Sequence, residues 1–274
     1  QNYEKFVKYV NENKLNETKF VNENENTVNE NACNVNTVNN ENVKIRESST
    51  FPLYLVSDNV MNGLILEKGT EKIVCQSTKK LIVKNTKTMD VIDWQEIKHL
   101  ENLRVEYLED GTMIRLYNYN GMWITATNNC IDARTSYWSN TKTFNDMFWE
   151  TFDEKYLENL DVNTTYVFIL NHIDNRIVVK HRFNNLIYLS AICNKTGKEN
   201  FKNIFYNTNP KRKIRRPEVI DLGMKIKNNC IVDIPTTLDI QDFYNDKKRG
   251  ILVKLFENNE WKNYQYDFES YTKL

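Results

Sequence analysis

Two periodicities divide the chain. From Phe51, "FPLYLVSDNVMNGLILEKGTEKIVCQSTKKLIVKN" strings together short apolar and β-branched runs separated by turn signals at Asn62-Gly63 and Lys68-Gly69, which predicts a strand-rich start. In "GTMIRLYNYNGMWITAT", Ile114 and Leu116 fall on one strand face and Met113, Arg115 and Tyr117 on the other. Asn120-Gly121 supplies the positive-φ pair of a two-residue type I′ hairpin. The period then changes. In "KTFNDMFWETFDEKYLENL", Phe144, Met147, Phe148, Phe152 and Tyr156 recur at three- and four-residue spacing, predicting a helix capped by Thr141 or Thr143. Such an aromatic stripe reads as a core face. Strands resume in "TYVFILNHIDNRIVV" and "NLIYLSAIC", the latter closed by a turn at Lys195-Thr196-Gly197. The end, "KKRGILVKLFENNEWKNYQYDFESYTKL", reads as a hairpin followed by a helix start. Strands, helix and strands in that order imply an α+β protein with antiparallel sheets, not alternating βαβ units.

Residues 11–43 break the pattern, with 13 asparagines among 33 positions. A stretch this polar buries too little apolar surface to offset its ordering entropy, so it reads as flexible or as an irregular insertion. Its scattered valines leave weak strand pairing open. The organisation expected is a partly flexible segment over 1–50 and a folded domain over 51–274.

Composition narrows the function classes. The chain has 40% hydrophobic residues, enough for a sizeable core, and 37 basic against 37 acidic side chains. The molecule as a whole does not advertise a polyanionic partner, so local patches must carry that case. One run stands out: five of the six residues from Lys211 to Arg216 are basic (Lys211, Arg212, Lys213, Arg215, Arg216), a pattern suited to phosphate backbones and equally to a solvated loop. The five cysteines are dispersed, with no CxxC pair, which argues against a disulfide framework or zinc site and for a reducing compartment. His99, His172 and His181 lack partners at ligand spacing, so no metal site is expected. No apolar run approaches the roughly 20 residues of a bilayer span. The sequence starts at Gln1 rather than methionine and reads as a fragment or trimmed chain, so a missing leader carries no weight.

Several segments, in this order, resemble the phage-type RNA ligases and their relatives in large DNA viruses, members of the covalent nucleotidyltransferases. "YVFILNHIDNRIVVKHRFNNLIYLSAICNKTGKE" is similar to the family's Phe-Glu-Leu triplet, Asn-Arg-Ile-Val-Val run and Thr-Gly-closed strand. "EDGTMIRLYNYNGMWITAT", followed by Ile131-Asp132-Ala133, resembles the segment around the catalytic motif. "NGLILEKGTEKIVCQS" resembles the preceding segment, and "RGILVKLFENNEWKNYQ" the late pair of motifs. The resemblance covers about residues 51–274 and implies an antiparallel-sheet RNA-ligase-like adenylation fold. It also implies a lysine that attacks the α-phosphate of ATP, holds AMP through a P–N bond and passes it to an RNA 5′-phosphate, with a divalent metal.

Five positions depart from that pattern. Aligning Asp110-Gly111 with the Lys-x-Asp-Gly motif puts Leu108 in the lysine slot. Asn62 replaces an arginine, Ile169 and Arg249 replace glutamates, and Lys262 is followed by Asn263 and Tyr264 where a second lysine belongs. Lys98 and Arg104 lie upstream without replacing the lysine in place. The expectation is therefore a catalytically degenerate ligase-like domain with no catalytic residues and no cofactor, serving as a binding or structural module for RNA or a protein partner, in a host cytoplasm or virion. The alternative is an active ATP-dependent RNA ligase with a non-standard lysine, using ATP and Mg. Glu109, Asp110, Gly111, Arg115 and Lys262 are the candidate nucleotide-site remnants. Asp110 reads first as a turn residue at the hairpin entry and Arg176 as a bridge between strands, while Arg115 reads equally as a solvated strand residue or a phosphate contact.

Overall fold

The structure, a computed structural model, describes residues 38–40, 43–59, 61–84, 103–139, 142–206, 213–220, 225–227, 230–233, 243–257 and 260–272. Among them the strands form three larger sheets. The first runs Val38–Asn40, Val43–Glu47, Leu53–Asp58, Leu64–Glu67 and Ile73–Cys75, with every pair antiparallel. Its outermost two strands lie partly within the asparagine-rich region, where Val43 and Ile45 pack on the apolar cluster of Tyr54, Val56, Leu64 and Leu66. Val43 and Ile45 supply the apolar area that joins this strand to the sheet, while Lys44 between them is exposed. Residues 1–37 lie outside the described residues.

The second sheet orders Met122–Ala126, Thr112–Tyr119, Thr164–Asn171, Asn185–Cys193 and Glu199–Asn200, with Lys213–Arg215 added parallel to Asn185–Cys193. The expected hairpin stands: Asn120 and Gly121 have φ of 51° and 82°, and Tyr119 pairs with Met122. Alternation places the two faces as expected. Ile114 and Leu116 join one core with the helix, while Tyr117 joins Leu53, Leu55 and Ile65 from the first sheet in another.

The helix forms over Phe144–Thr151, shorter than the periodic stretch. Thr143 caps it with a reciprocal capping box to Asp146, and Phe152 takes an extended conformation that ends it. Residues Glu154–Asn159 continue as a 3-10 helix with its own Asp153 cap. Phe148 and Phe152 stack at 5.2 Å and both touch Phe168, so the aromatic stripe is a core face. Burying each such ring contributes about 1.5–3 kcal/mol.

The third sheet orders Ile82–Lys84, Glu260–Asp267, Gly250–Glu257 and Leu103–Leu108. One face, with Leu103, Val105, Ile251, Val253, Leu255 and Tyr266, forms its own core. The short helix Glu269–Thr272 follows the last strand, as expected. One expectation fails: the strand Thr164–Asn171 does not continue to Val179. The amide of Asn175 donates to the His172 carbonyl and that of Asp174 to His172 Nδ1, so the chain turns there and residues 173–183 form a loop.

Candidate functional site

The second and third sheets are joined by the turn Glu109-Asp110-Gly111, the head of the motif-like segment. Asp110 is 1% exposed, and its carboxylate is fully engaged. One oxygen accepts from the backbone amides of Val178 (3.0 Å) and Val179 (2.6 Å) in the 173–183 loop. The other accepts from the Tyr271 hydroxyl at 2.8 Å. Burial and this bond to Asp110 push the Tyr271 phenol up to about 12. Gly111 is required by close approach: a Cβ there would meet the Leu170 carbonyl and Ile169 at 2.6 Å. Asp110 is thus more than a turn residue, because it ties three separate segments together.

Glu109 is buried and shares one oxygen between Lys248 (2.6 Å) and Arg215 (2.9 Å). Burial raises its pKa, but the two cations outweigh that and hold the carboxyl below its ordinary value. Arg215 belongs to the basic run, so two separately predicted sets of residues meet here. Arg216 turns inward as well. Its guanidinium donates to the Tyr188 and Leu189 carbonyls at 2.8 and 2.7 Å and lies 4.9 Å from the centre of the Tyr188 ring. Lys213 is in the strand, registered with Asn185, and Lys211 and Arg212 lie outside the described residues. Two of the five basic side chains therefore stitch the sheets together, where the sequence suggested a loop open to phosphate or solvent.

Leu108 is half-buried and registered against Gly250. It belongs to none of the apolar clusters among the described residues. Strand alternation explains why: Leu103, Val105 and Tyr107 face the third sheet's core, which sends Arg104, Glu106 and Leu108 to the opposite face. Lys254, on the neighbouring strand, is registered with Arg104 and reaches Glu106 at 3.0 Å. Arg104 also pairs with Glu106, and Arg216 lies within electrostatic reach of both. Three cations thus surround one carboxylate, leaving an excess of positive charge on the face that carries Leu108. Arg249 pairs with Asp267 at 2.9 Å and lies 4.8 Å from the centre of the Tyr271 ring.

Other expected sites lie elsewhere. Arg115 is 0% exposed and donates to the carbonyls of Gly63, Gln76 (3.0 Å) and Thr127 (2.7 Å), so it is neither solvated nor turned to a phosphate. Lys262 is registered with Leu255, five positions along the strand from Gly250, or about 17 Å at strand spacing. Arg176 is exposed and bonds only locally, to Val178 O at 3.3 Å; the buried neighbour Asn175 makes the bridge, to Thr112 at 2.9 Å. His172 does have carboxylate partners, Glu150 at 3.1 Å and Asp174 at 3.7 Å, brought near by folding rather than by spacing. Cys130 is disulfide-bonded, which corrects the expectation of unpaired thiols, while Cys75 and Cys193 are free. Among the described residues no group of three His, Cys, Asp or Glu side chains is arranged to hold a metal, and no helix is long and apolar enough to cross a membrane.

Glu106, Lys248, Lys254 and Tyr271 join this region without having stood out in the sequence. A signal was present for two of them: in "LRVEYL" Arg104 and Glu106 alternate with apolar residues, and in "GILVKLF" Lys254 interrupts an apolar strand between Val253 and Leu255.

No family model matches the chain. The RNA ligase of Rhodothermus phage RM378 is 36% identical over 93 residues, covering 30% of this chain and 21% of that protein. An archaeal ATP-dependent RNA ligase superposes with a TM-score of 0.46 at 10% identity, covering 84% of this chain and 56% of that one. A putative ATP-dependent DNA ligase from Aquifex aeolicus gives 0.48 at 10% identity, covering 82% and 59%. The chain thus spans about a fifth of its curated relative and less than two thirds of either solved ligase.

Proposed function

We propose that this chain is a ligase-like nucleotidyltransferase domain of the phage and large-virus type that has lost adenylation chemistry and retains a binding role toward RNA ends. The observation that carries this reading is the environment of Leu108. It occupies the nucleophile's position on a face rich in cations, yet offers no atom that can attack phosphorus. The groups around that position already have protein partners: Glu109 with Arg215 and Lys248, Asp110 with two amides and a hydroxyl, Arg249 with Asp267. What remains is charge. Arg104, Lys254 and Arg216 against the single Glu106 suit a phosphate monoester, which needs cations and hydrogen-bond donors rather than a nucleophile. The similarity to a phage RNA ligase supports the choice of RNA. ATP and a divalent metal do not fit, because Ile169 and Arg249 stand where the family keeps carboxylates. The same reading places the protein in a host cytoplasm or virion.

The test has two parts. Incubation with α-labelled ATP and Mg should leave no acid-labile label on denatured protein. Filter binding should show retention of 5′-phosphorylated RNA that weakens with salt. An AMP adduct on any lysine would instead establish the active ligase. Absence of RNA retention at low salt would remove the binding role.

A further inference from the structure

We infer a second site, a pocket for one unpaired base of single-stranded RNA, whose lining includes none of the residues of the Leu108 face. A cavity of about 480 Å³ opens there between the strand Met122–Ala126, the helix Phe144–Thr151 and the 3-10 turn after it. This size lies within the ~300–1,000 Å³ range of small-ligand pockets. Phe51, Trp123 and Trp149 line it, all half-buried, so their rings are held yet still reachable. Trp123 is braced against Tyr166 at 6.1 Å, and Trp149 against Phe148 at 5.3 Å and Phe152 at 5.6 Å.

Two polar groups in the lining are held by their neighbours. Asn145 Oδ1 accepts from Thr125 Oγ1 and from Trp149 Nε1, both at 2.9 Å. Only the carbonyl oxygen can accept, so these two donors fix the amide and leave Nδ2 as an available donor. Arg134 is gripped by Asp132 through contacts of 2.6 to 3.0 Å and lies 5.8 Å from the centre of the Phe51 ring, half of its side chain exposed. Glu154, also in the lining, is an exposed carboxylate acceptor.

Aromatic walls flanked by fixed donors and an acceptor match a nucleobase, which is flat and carries acceptors and N–H donors on one edge. A methylated ammonium would use the rings and Glu154 but leave Asn145 Nδ2 and Arg134 unanswered. An aliphatic side chain would use neither. Glu154 favours bases with an exocyclic amine over uracil. The choice of RNA as the source of the base rests on the ligase-like reading; the pocket's chemistry does not.

The experiment uses the full chain and follows tryptophan fluorescence. Neutral nucleosides and a 5′-hydroxyl tetraribonucleotide are titrated first, so that the phosphate-binding face plays no part. Saturable quenching is expected, stronger for adenosine, cytidine and guanosine than for uridine. Asn145→Asp keeps both inward acceptor bonds and replaces the outward donor with a charged acceptor oxygen, so it should fold normally and weaken nucleoside binding at least tenfold. Glu154→Gln should reduce the preference against uridine. Absence of quenching by any nucleoside or tetranucleotide would overturn the site, as would an Asn145→Asp variant that binds like wild type. Tighter binding of a trimethyllysine peptide than of any nucleoside would reassign the pocket to a protein partner and overturn it too. Retention of 5′-phosphorylated RNA unaffected by Asn145→Asp would refute this pocket while leaving the proposed role of the Leu108 face intact.

Discussion

The carboxylate of Asp110 and the backbone amide of Val179 are 2.6 Å apart, and this contact joins the turn at 109–111 to the loop at 173–183. The "DNRIVV" run is a loop because its amides are taken up by Asp110 and not by a neighbouring strand. Charged hydrogen bonds of this kind contribute about 1.5–3 kcal/mol each. Asp110→Asn exchanges one acceptor oxygen for a donor facing other donors, so a loss of about 3 kcal/mol is expected in urea unfolding. Tyr271→Phe, which removes only the hydroxyl at 2.8 Å, should cost about 1 kcal/mol. Equal losses for the two variants would show that the loop amides contribute nothing.

Under the proposed function, a lysine placed at 108 should not by itself bring adenylation. In Leu108→Lys an amine would stand where the ligase resemblance puts the nucleophile, but Arg249 and Ile169 would remain where it puts carboxylates, and Arg104, Lys254 and Arg216 would crowd it with like charge. The expected result is no covalent AMP after incubation with labelled ATP and Mg. A labelled Leu108→Lys protein would mean that only one substitution separates this chain from activity.

Arg115 should be among the most costly side chains to remove. Arg115→Met keeps the length of the side chain but leaves the carbonyls of Gly63 and Thr127 without their donor in the interior. About 3 kcal/mol or more should be lost, because buried acceptors are left unpaired. Thermal unfolding will report it. An unchanged midpoint would show that water replaces the guanidinium.

His172 makes stability depend on mildly acidic pH. Burial is the largest influence and lowers its pKa, against the raising effects of Glu150 and Asp174; Lys142 also lowers it. Its Nδ1 accepts from the Asp174 amide, and its Nε2 lies 3.1 Å from the Glu150 carboxylate and 2.9 Å from Asn184 Nδ2. The folded pKa lies below the unfolded value of about 6.5, so its contribution is complete above that pH and is lost as pH falls through the folded pKa. Urea midpoints should therefore decline from pH 6.5 to pH 5, and His172→Gln should flatten that decline. A slope unchanged in the variant would assign it to other groups.

Much of the fold was legible because local chemistry and tertiary structure agree. Asn120-Gly121 admits the backbone angles of its hairpin, Thr143 and Asp146 form a cap within four residues, and the Phe148 stripe has the period of its helix. The site was less legible because its contacts are distant in sequence. Glu109 meets Arg215 across 106 residues, and Asp110 meets Tyr271 across 161. A dense basic run looks the same on paper whether its guanidinium groups face water or, like Arg216, lie over a buried ring. Likewise nothing near Arg115 announces the carbonyls of Gly63 and Gln76 that enclose it.

The path of residues 213–220 has a further consequence. Lys213–Arg215 lies along Asn185–Cys193, and a few residues later Glu218 and Ile220 bond to Tyr107 and Val105. A single short run thus covers exposed backbone on two different sheets. Open strand borders are templates on which other polypeptides can grow, and this cover removes two of them at once. Cleavage or displacement of that run would leave both borders open to pairing with another chain.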